Sequence, residues 1–180
     1  IYSKEALTEA VGDSMKTTVE TCNKQIDSWV NDIEADLQNL ANNPIAGRVL
    51  YNPEDTEKAN TLLINIKKNY PGYENLGVLN RDGLMVAGSN PALVGKLTLK
   101  DRPYFRKALA GQVALSKPVA SRDTGEPIFV VAVPLTTNQQ VEGVLFVAVS
   151  LRGFSSTFID PLKIGESGYA FATDQDGVLI

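Results

Sequence analysis

Between residues 101 and 122 the chain carries Arg102, Arg106, Lys107, Lys117 and Arg122 against a single carboxylate, Asp101, although its 180 residues together bear a net charge of −4. If such side chains converge, a low-dielectric pocket focuses their field on small anions. Arg102 is the residue best placed for that chemistry. Pro103 fixes the backbone beside it, and Tyr104 and Phe105 follow directly. A planar guanidinium presents a fork that matches a carboxylate, and neighbouring rings shield the pair from water. Arg106 and Lys107, further along the segment, read as solvated. Lys117 and Ser121, on a strand facing this segment, are candidate second contacts, and Tyr73 from an earlier loop is a third.

The exclusions are equally specific. Histidine is absent, which removes the usual general base and the commonest metal ligand. A single cysteine, Cys22, allows neither an internal disulfide nor a thiolate zinc site. Asp174 and Asp176 with Gly177 lack the further ligands of a calcium loop and read as a hairpin turn. Glycines sit singly at turns and build no phosphate loop. No catalytic residue, metal or cofactor is expected, so the reading is a binding module and not an enzyme. The acidic balance argues against nucleic acid as a partner. No apolar run approaches the roughly 20 residues of a membrane span.

Several elements must position these residues. Residues 3–42 read as one amphipathic helix, with Leu7, Val11, Met15, Val19, Cys22, Ile26, Val30, Ile33, Leu37 and Leu40 recurring at spacings of three and four. Such a helix spans about 60 Å, more than one small domain covers, and this predicts a homodimer through part of the stripe. Asn42-Asn43-Pro44 ends it. A second helix is expected from Asn52 as N-cap with Pro53 in its first turn, stopping at Tyr70-Pro71-Gly72. Strands Asn75–Leu79 and Leu84–Gly88 flank an Asp82-Gly83 turn, and 90–98 reads as loop. Asp101 is expected to cap a short helix over 101–111. Three strands follow, Val113–Ser121, Pro127–Leu135 and Val141–Leu151, and the unbroken apolar run 128–133 marks a central strand. Phe154, Phe158 and Ile159 suggest a short connecting helix that Pro161 closes.

This order of pieces resembles the extracytoplasmic double-Cache sensor domain of bacterial chemoreceptors and transmembrane sensor kinases. The resemblance is carried by the long first helix, the "DRPYF" helix, the strands "TGEPIFVVAVPL" and "GVLFVAVSL", and "IGESGYAFATDQDGVLI" as the first hairpin of a second subdomain. It implies an α+β fold: a long N-terminal helix, then a PAS-like antiparallel sheet with flanking short helices. It divides the chain into a stalk helix over 1–43, a membrane-distal lobe over 44–160, and the beginning of a membrane-proximal lobe over 161–180. It also implies a membrane-anchored receptor with this domain outside the cytoplasm, serving methyl-accepting chemotaxis. The alternatives are the sensor of a histidine kinase or cyclic-dinucleotide enzyme, or a structural dimerisation module without ligand.

By position in the family, Arg102 inherits the role of clamping a ligand carboxylate. The chain departs from the amino-acid-sensing pattern at Leu97, at Tyr104-Phe105, at Val119 with Ser121, and at Ala148, where the family carries aromatic and acidic side chains. Without acids at 121 and 148, an ammonium in an apolar site would be costly. The expected ligand is therefore a small carboxylic acid or similar anion with no ammonium group.

Overall fold

The computed structural model describes residues 4–162, 170–173 and 177, with side chains of the first helix from Thr8 onward. Its frame is a pair of eleven-residue strands, β5 (Pro127–Thr137) and β6 (Gln140–Ser150), paired antiparallel from Ile128↔Ser150 to Thr137↔Gln140. Asn138 and Gln139 join them with φ of 50° and 65°, the positive pair whose twist suits a two-residue hairpin. β1 (Tyr73–Asn80) pairs with the other edge of β6, and β2 (Met85–Gly88) lies outside β1. The short β3 (Ala114–Leu115) and β4 (Val119–Ala120) both pair with β5.

The apolar run of β5 is buried on both faces. Phe129, Val131, Val133 and Leu135 meet a helical layer, while Ile128, Val130 and Ala132 face the opposite side. In the helical layer, α1 (Lys4–Ala41) contributes Ile33 and Leu37, and its Trp29 ring meets Phe129 edge-on at 5.9 Å. The short α2 (Pro44–Arg48) and α3 (Thr56–Asn69) complete that layer through Ala46, Ala59 and Leu63. The other face is covered more thinly, by α4 (Pro103–Leu109) and the loops before it. β6 leads into α5 (Leu151–Phe154), which widens into a π turn over Ser155–Ile159. This is an α+β fold with a long helix and a PAS-like antiparallel sheet.

Four local expectations change. Pro44 ends α1 but also opens α2, because the Asn43 side chain accepts the Ile45 N–H at 2.9 Å. Asn52 makes no side-chain cap; a 3₁₀ turn, Pro53–Asp55, precedes α3. The N-cap of α4 is Arg102, and Asp101 turns instead toward Arg122. Finally, the expected strand 113–121 is broken into β3 and β4. Pro118 has no N–H to give a ladder, and the Ser116 hydroxyl takes the Val130 N–H at 2.8 Å in place of a carbonyl.

Two further features bear on function. α1 has 38 residues, about 57 Å of helix. Its stripe is buried at Cys22, Ile33 and Leu37 (6%, 3% and 3% exposed) but open at Val11, Met15 and Val19 (46%, 41% and 51%). Where β1 meets β6 the register runs Tyr73↔Val149 and then Asn75↔Ala148, so Glu74 is an extra residue in a β-bulge. Among the described residues no helix is long and apolar enough to cross a membrane. Most of the proposed second lobe, 163–169, 174–176 and 178–180, lies outside the described residues.

Gly143, between Asn80 and Leu135 in the centre of the sheet, sets how closely the strands pack. A Cβ there would stand 2.5 Å from the Leu79 carbonyl oxygen and 2.8 Å from Leu50 Cδ2. Gly143→Ala should force β6 away from β1 and destabilise the domain by about 1–3 kcal/mol. Thermal or urea unfolding checks this; an unchanged midpoint would mean the pairing yields there without cost.

Candidate functional site

On the thinly covered face, a partly enclosed cavity opens between the sheet and the α4 segment. Its floor is strand: Glu74 and Asn75 of β1, Ile128 and Val130 of β5, Phe146 and Ala148 of β6. Leu97, Leu99, Arg102 and Tyr104 form one wall, and Ala120 to Asp123 form the other. The cavity measures about 20 Å³, which is room for one water molecule. A larger guest must displace part of the wall.

Arg102 reaches across from the start of α4 to β4, where one terminal nitrogen donates to the Ala120 carbonyl at 3.1 Å. Its Nε is buried and has no hydrogen-bond partner among the described residues. Leaving such a donor unmet costs about 1–3 kcal/mol, so this guanidinium is poised for an acceptor. Among the described residues no carboxylate pairs with it. Tyr104 presents a buried phenol, and burial pushes its pKa up to about 12 against the opposing pull of the Arg102 and Arg122 charges. It stays neutral at any physiological pH.

The second guanidinium of the site is already occupied. Arg122 clasps Asp101 with two bonds, Nη1–Oδ1 at 2.9 Å and Nη2–Oδ2 at 2.5 Å, and also donates to the Thr98 carbonyl. Nearby, the Asn90 amide donates to Asp123 at 3.0 Å. These contacts tie the 121–126 turn to the two loops on the other side of the cavity mouth. Ser121 organises that turn. Its hydroxyl oxygen accepts from the N–H groups of Asp123 and Thr124 at 3.1 and 3.3 Å, while its proton is donated in a short bond to Glu74.

Of the six ligand-contact candidates in the sequence, Arg102, Tyr104 and Ser121 converge on this cavity, where Leu97 and Ala148 also lie. The remaining three do not. Phe105, one residue past Tyr104 on α4, turns into the core and is 1% exposed. Lys117 is exposed on the stretch between β3 and β4, outside the cavity lining. Tyr73 lies on the opposite face of the sheet, stacked on Tyr70 at 4.7 Å, because the bulge at Glu74 reverses its side.

The same bulge supplies the residue that pattern reading passes over. In a regular strand Glu74 would share the face of Leu76 and Val78, beneath the helices. The extra residue turns it into the cavity, where it and Asp123 are the two lining carboxylates. The ground for excluding an ammonium, the lack of acids at 121 and 148, is thereby removed. The nearest signal in the sequence is that Tyr73-Glu74-Asn75 breaks the alternation that begins at Leu76.

Comparison with known proteins agrees with this fold. A family model described as a Cache domain matches residues 3–180. Sporulation kinase D of Bacillus subtilis is 31% identical over 130 residues, which are 71% of this chain and 25% of the kinase; the chain thus spans about a quarter of that relative. Among solved structures, the ligand-binding domain of the Campylobacter jejuni chemoreceptor Tlp3, in complex with 4-methylisoleucine, is similar with a TM-score of 0.77 at 14% identity, over 98% of this chain and 71% of that one. The sensor domain of the Vibrio cholerae histidine kinase DctB gives 0.73 at 16% identity, over 83% and 60%.

The clasp between Asp101 and Arg122 yields a pH prediction. Hydrogen bonds from Arg122 hold the Asp101 carboxyl below its ordinary value. The clasp is therefore complete above the unfolded-chain value of about 3.9 and is lost as pH falls through the lowered one. Asp101→Asn should loosen the 121–126 turn at neutral pH, seen as several-fold faster amide exchange at Ser121 and Gly125 with little change in global melting temperature. Wild type should show the same loosening only at pH below about 4, after correction for intrinsic exchange. Equal protection in the variant at neutral pH would remove the clasp from the account.

Proposed function

The chain belongs to the Cache domain family, and from that premise we propose that it is the extracytoplasmic ligand-binding sensor domain of a transmembrane signalling receptor, taking a small carboxylate. The observation that carries this reading is the Arg102 Nε, buried at a cavity wall with no acceptor among the described residues. A carboxylate at that position would accept the fork of the guanidinium in a water-poor setting beside the neutral Tyr104 phenol. Binding does not require bond making or breaking by the protein. It shifts the balance between a latched and an opened mouth, and the ligand's differential affinity for the two states sets the size of the signal.

Two kinds of output fit such a sensor. The chemoreceptor reading has the similar Tlp3 domain behind it, and the histidine-kinase reading has sporulation kinase D, a relative in sequence. The uncovered half of the α1 stripe, Val11 to Val19, supports a homodimer in which this helix meets its counterpart.

Arg102→Ala should weaken binding of whichever carboxylate stabilises the wild-type domain in a thermal-shift screen. Loss of a hydrogen bond to a charged group corresponds to roughly ten- to a hundred-fold in affinity. Arg102→Lys should also lose affinity, because an ammonium cannot reproduce the fork. Calorimetry measures both; normal binding by Arg102→Ala together with a much lower melting temperature would make Arg102 a structural residue.

For the dimer, sedimentation of the wild-type chain should show concentration-dependent association that Val19→Glu abolishes. Monomeric behaviour of both proteins at high concentration would leave α1 without this role.

A further inference from the structure

We propose that the domain has a second small-molecule site on the helical side of its sheet, in the cavity between α1, α3 and β1, and that this site takes a primary alkylamine. It is separate from the Arg102 cavity and does not depend on the carboxylate reading of that one.

The cavity measures about 270 Å³, against about 20 Å³ on the other face. A guest of several heavy atoms enters it without displacing a wall. The floor is apolar: Ile33 and Leu37 of α1 and Leu76 of β1 line it, and all three are buried. The polar lining residues, Asp36, Asn69, Tyr70 and Tyr73, form one linked group where α3 ends. The Tyr70 ring stacks on Tyr73, and its hydroxyl donates to Asp36 Oδ2 at 3.2 Å.

Two observations make this group a receptor for a cation rich in donors. The first is Tyr73. The bulge at Glu74 turns it to this face, where it is 7% exposed, and its hydroxyl has no hydrogen-bond partner among the described residues. Burial keeps that phenol protonated, so its oxygen offers lone pairs without adding a charge. The second is Asp36. Tyr70 fixes one of its carboxylate oxygens, and the other accepts nothing among the described residues. No cationic side chain lines the cavity; Lys67 and Lys68, in the last turn of α3, are outside the lining.

A primary ammonium carries three donors. The Asp36 carboxylate, the Tyr73 hydroxyl and the Asn69 amide oxygen supply three acceptors, and the bond to the carboxylate is charge-assisted. The alkyl chain then lies over the apolar floor and leaves water. A carboxylate of equal length meets Asp36 with like charge and finds no cation to offset it. An alcohol brings one donor and no charge.

The test is titration of the 180-residue chain with hexylamine, butylamine, hexanol and hexanoate, read by calorimetry and by amide exchange. Hexylamine is expected to bind about tenfold or more tightly than hexanol or hexanoate, the scale of one hydrogen bond to a charged group. Butylamine should bind about four- to fifteenfold more weakly than hexylamine, since each buried methylene is worth up to about fourfold. Bound hexylamine should slow amide exchange around Leu37 and Ile66. Asp36→Asn lies on an exposed position of α1 and keeps the shape of the side chain; it should bring hexylamine to within about threefold of hexanol. Tyr73→Phe should weaken hexylamine several-fold, and Arg102→Ala should leave the whole series unchanged. Equal binding of hexylamine and hexanol, or a preference that survives Asp36→Asn, overturns the site. So does loss of hexylamine binding in folded Arg102→Ala, which would put the amine in the other cavity, or the absence of any binding at millimolar hexylamine. None of these outcomes touches the carboxylate reading, which the calorimetry of Arg102→Ala with carboxylates decides separately.

Discussion

The pairing of β5 with β6 is the constraint on which the rest of the molecule hangs. Ten residue pairs hold the two strands together, and nearly every side chain between Ile128 and Leu135 is buried on one face or the other. Each fully buried Val, Leu or Phe in such a run contributes about 1.5–3 kcal/mol, so the central sheet does not deform for a weakly bound guest. The two faces differ in how they are covered. Three helices close one of them over a continuous core, and a seven-residue helix with its flanking loops covers the other. The cavity on the second face has loop residues, Leu97, Leu99 and Ser121 to Asp123, along its walls.

A single extra residue then determines which charges line the cavity. The shift at Glu74 exchanges an aromatic for a carboxylate on the site face and sends Tyr73 to the helical side, where it stacks on Tyr70. Burial there raises the Tyr73 pKa to about 12, so the exchange adds no charge to the helical core. On the site face it does the opposite. It places a second carboxylate, beside that of Asp123, in the same space as Arg102.

The parts that could be read from the sequence are those governed by local chemistry or by unbroken periodicity. The stripe on α1, the Asp82-Gly83 turn and the continuous run of β5 each specify an element without reference to the rest of the chain. Arg102 and Tyr104 stand side by side at the cavity wall because Pro103, with its fixed φ, sets the first turn of α4. What could not be read depends on relations between distant segments. Asp101 has the right type and position for a cap, but Arg122, 21 residues away, offers it two bonds where a cap offers one. Glu74 and Tyr73 are misplaced by any two-residue alternation, since only pairing with β6 reveals the bulge. Lys117 belongs to a strand in the sequence pattern but to a break in the sheet, where the Ser116 hydroxyl has replaced a backbone partner.

Where the cavity gives way follows from the same contrast. Room for one water means that any larger guest must push something aside, and β1, β5 and β6 are held on both faces. The 121–126 turn is held across the mouth by exposed polar contacts, the Asp101–Arg122 clasp and the Asn90–Asp123 bond. Exposed ion pairs are cheap to break compared with a buried strand. The turn is also tied on its far side to the segment that leaves the sheet, since Glu126 meets Arg152 of α5 at 3.2 Å. Ala148, at the cavity floor, is two residues from Ser150, whose hydroxyl accepts the Gly153 N–H and so caps that same helix. A guest that displaces the turn therefore acts first on contacts leading to α5, the exit of the chain from this sheet, while the paired strands stay in register as the fixed body against which the turn moves.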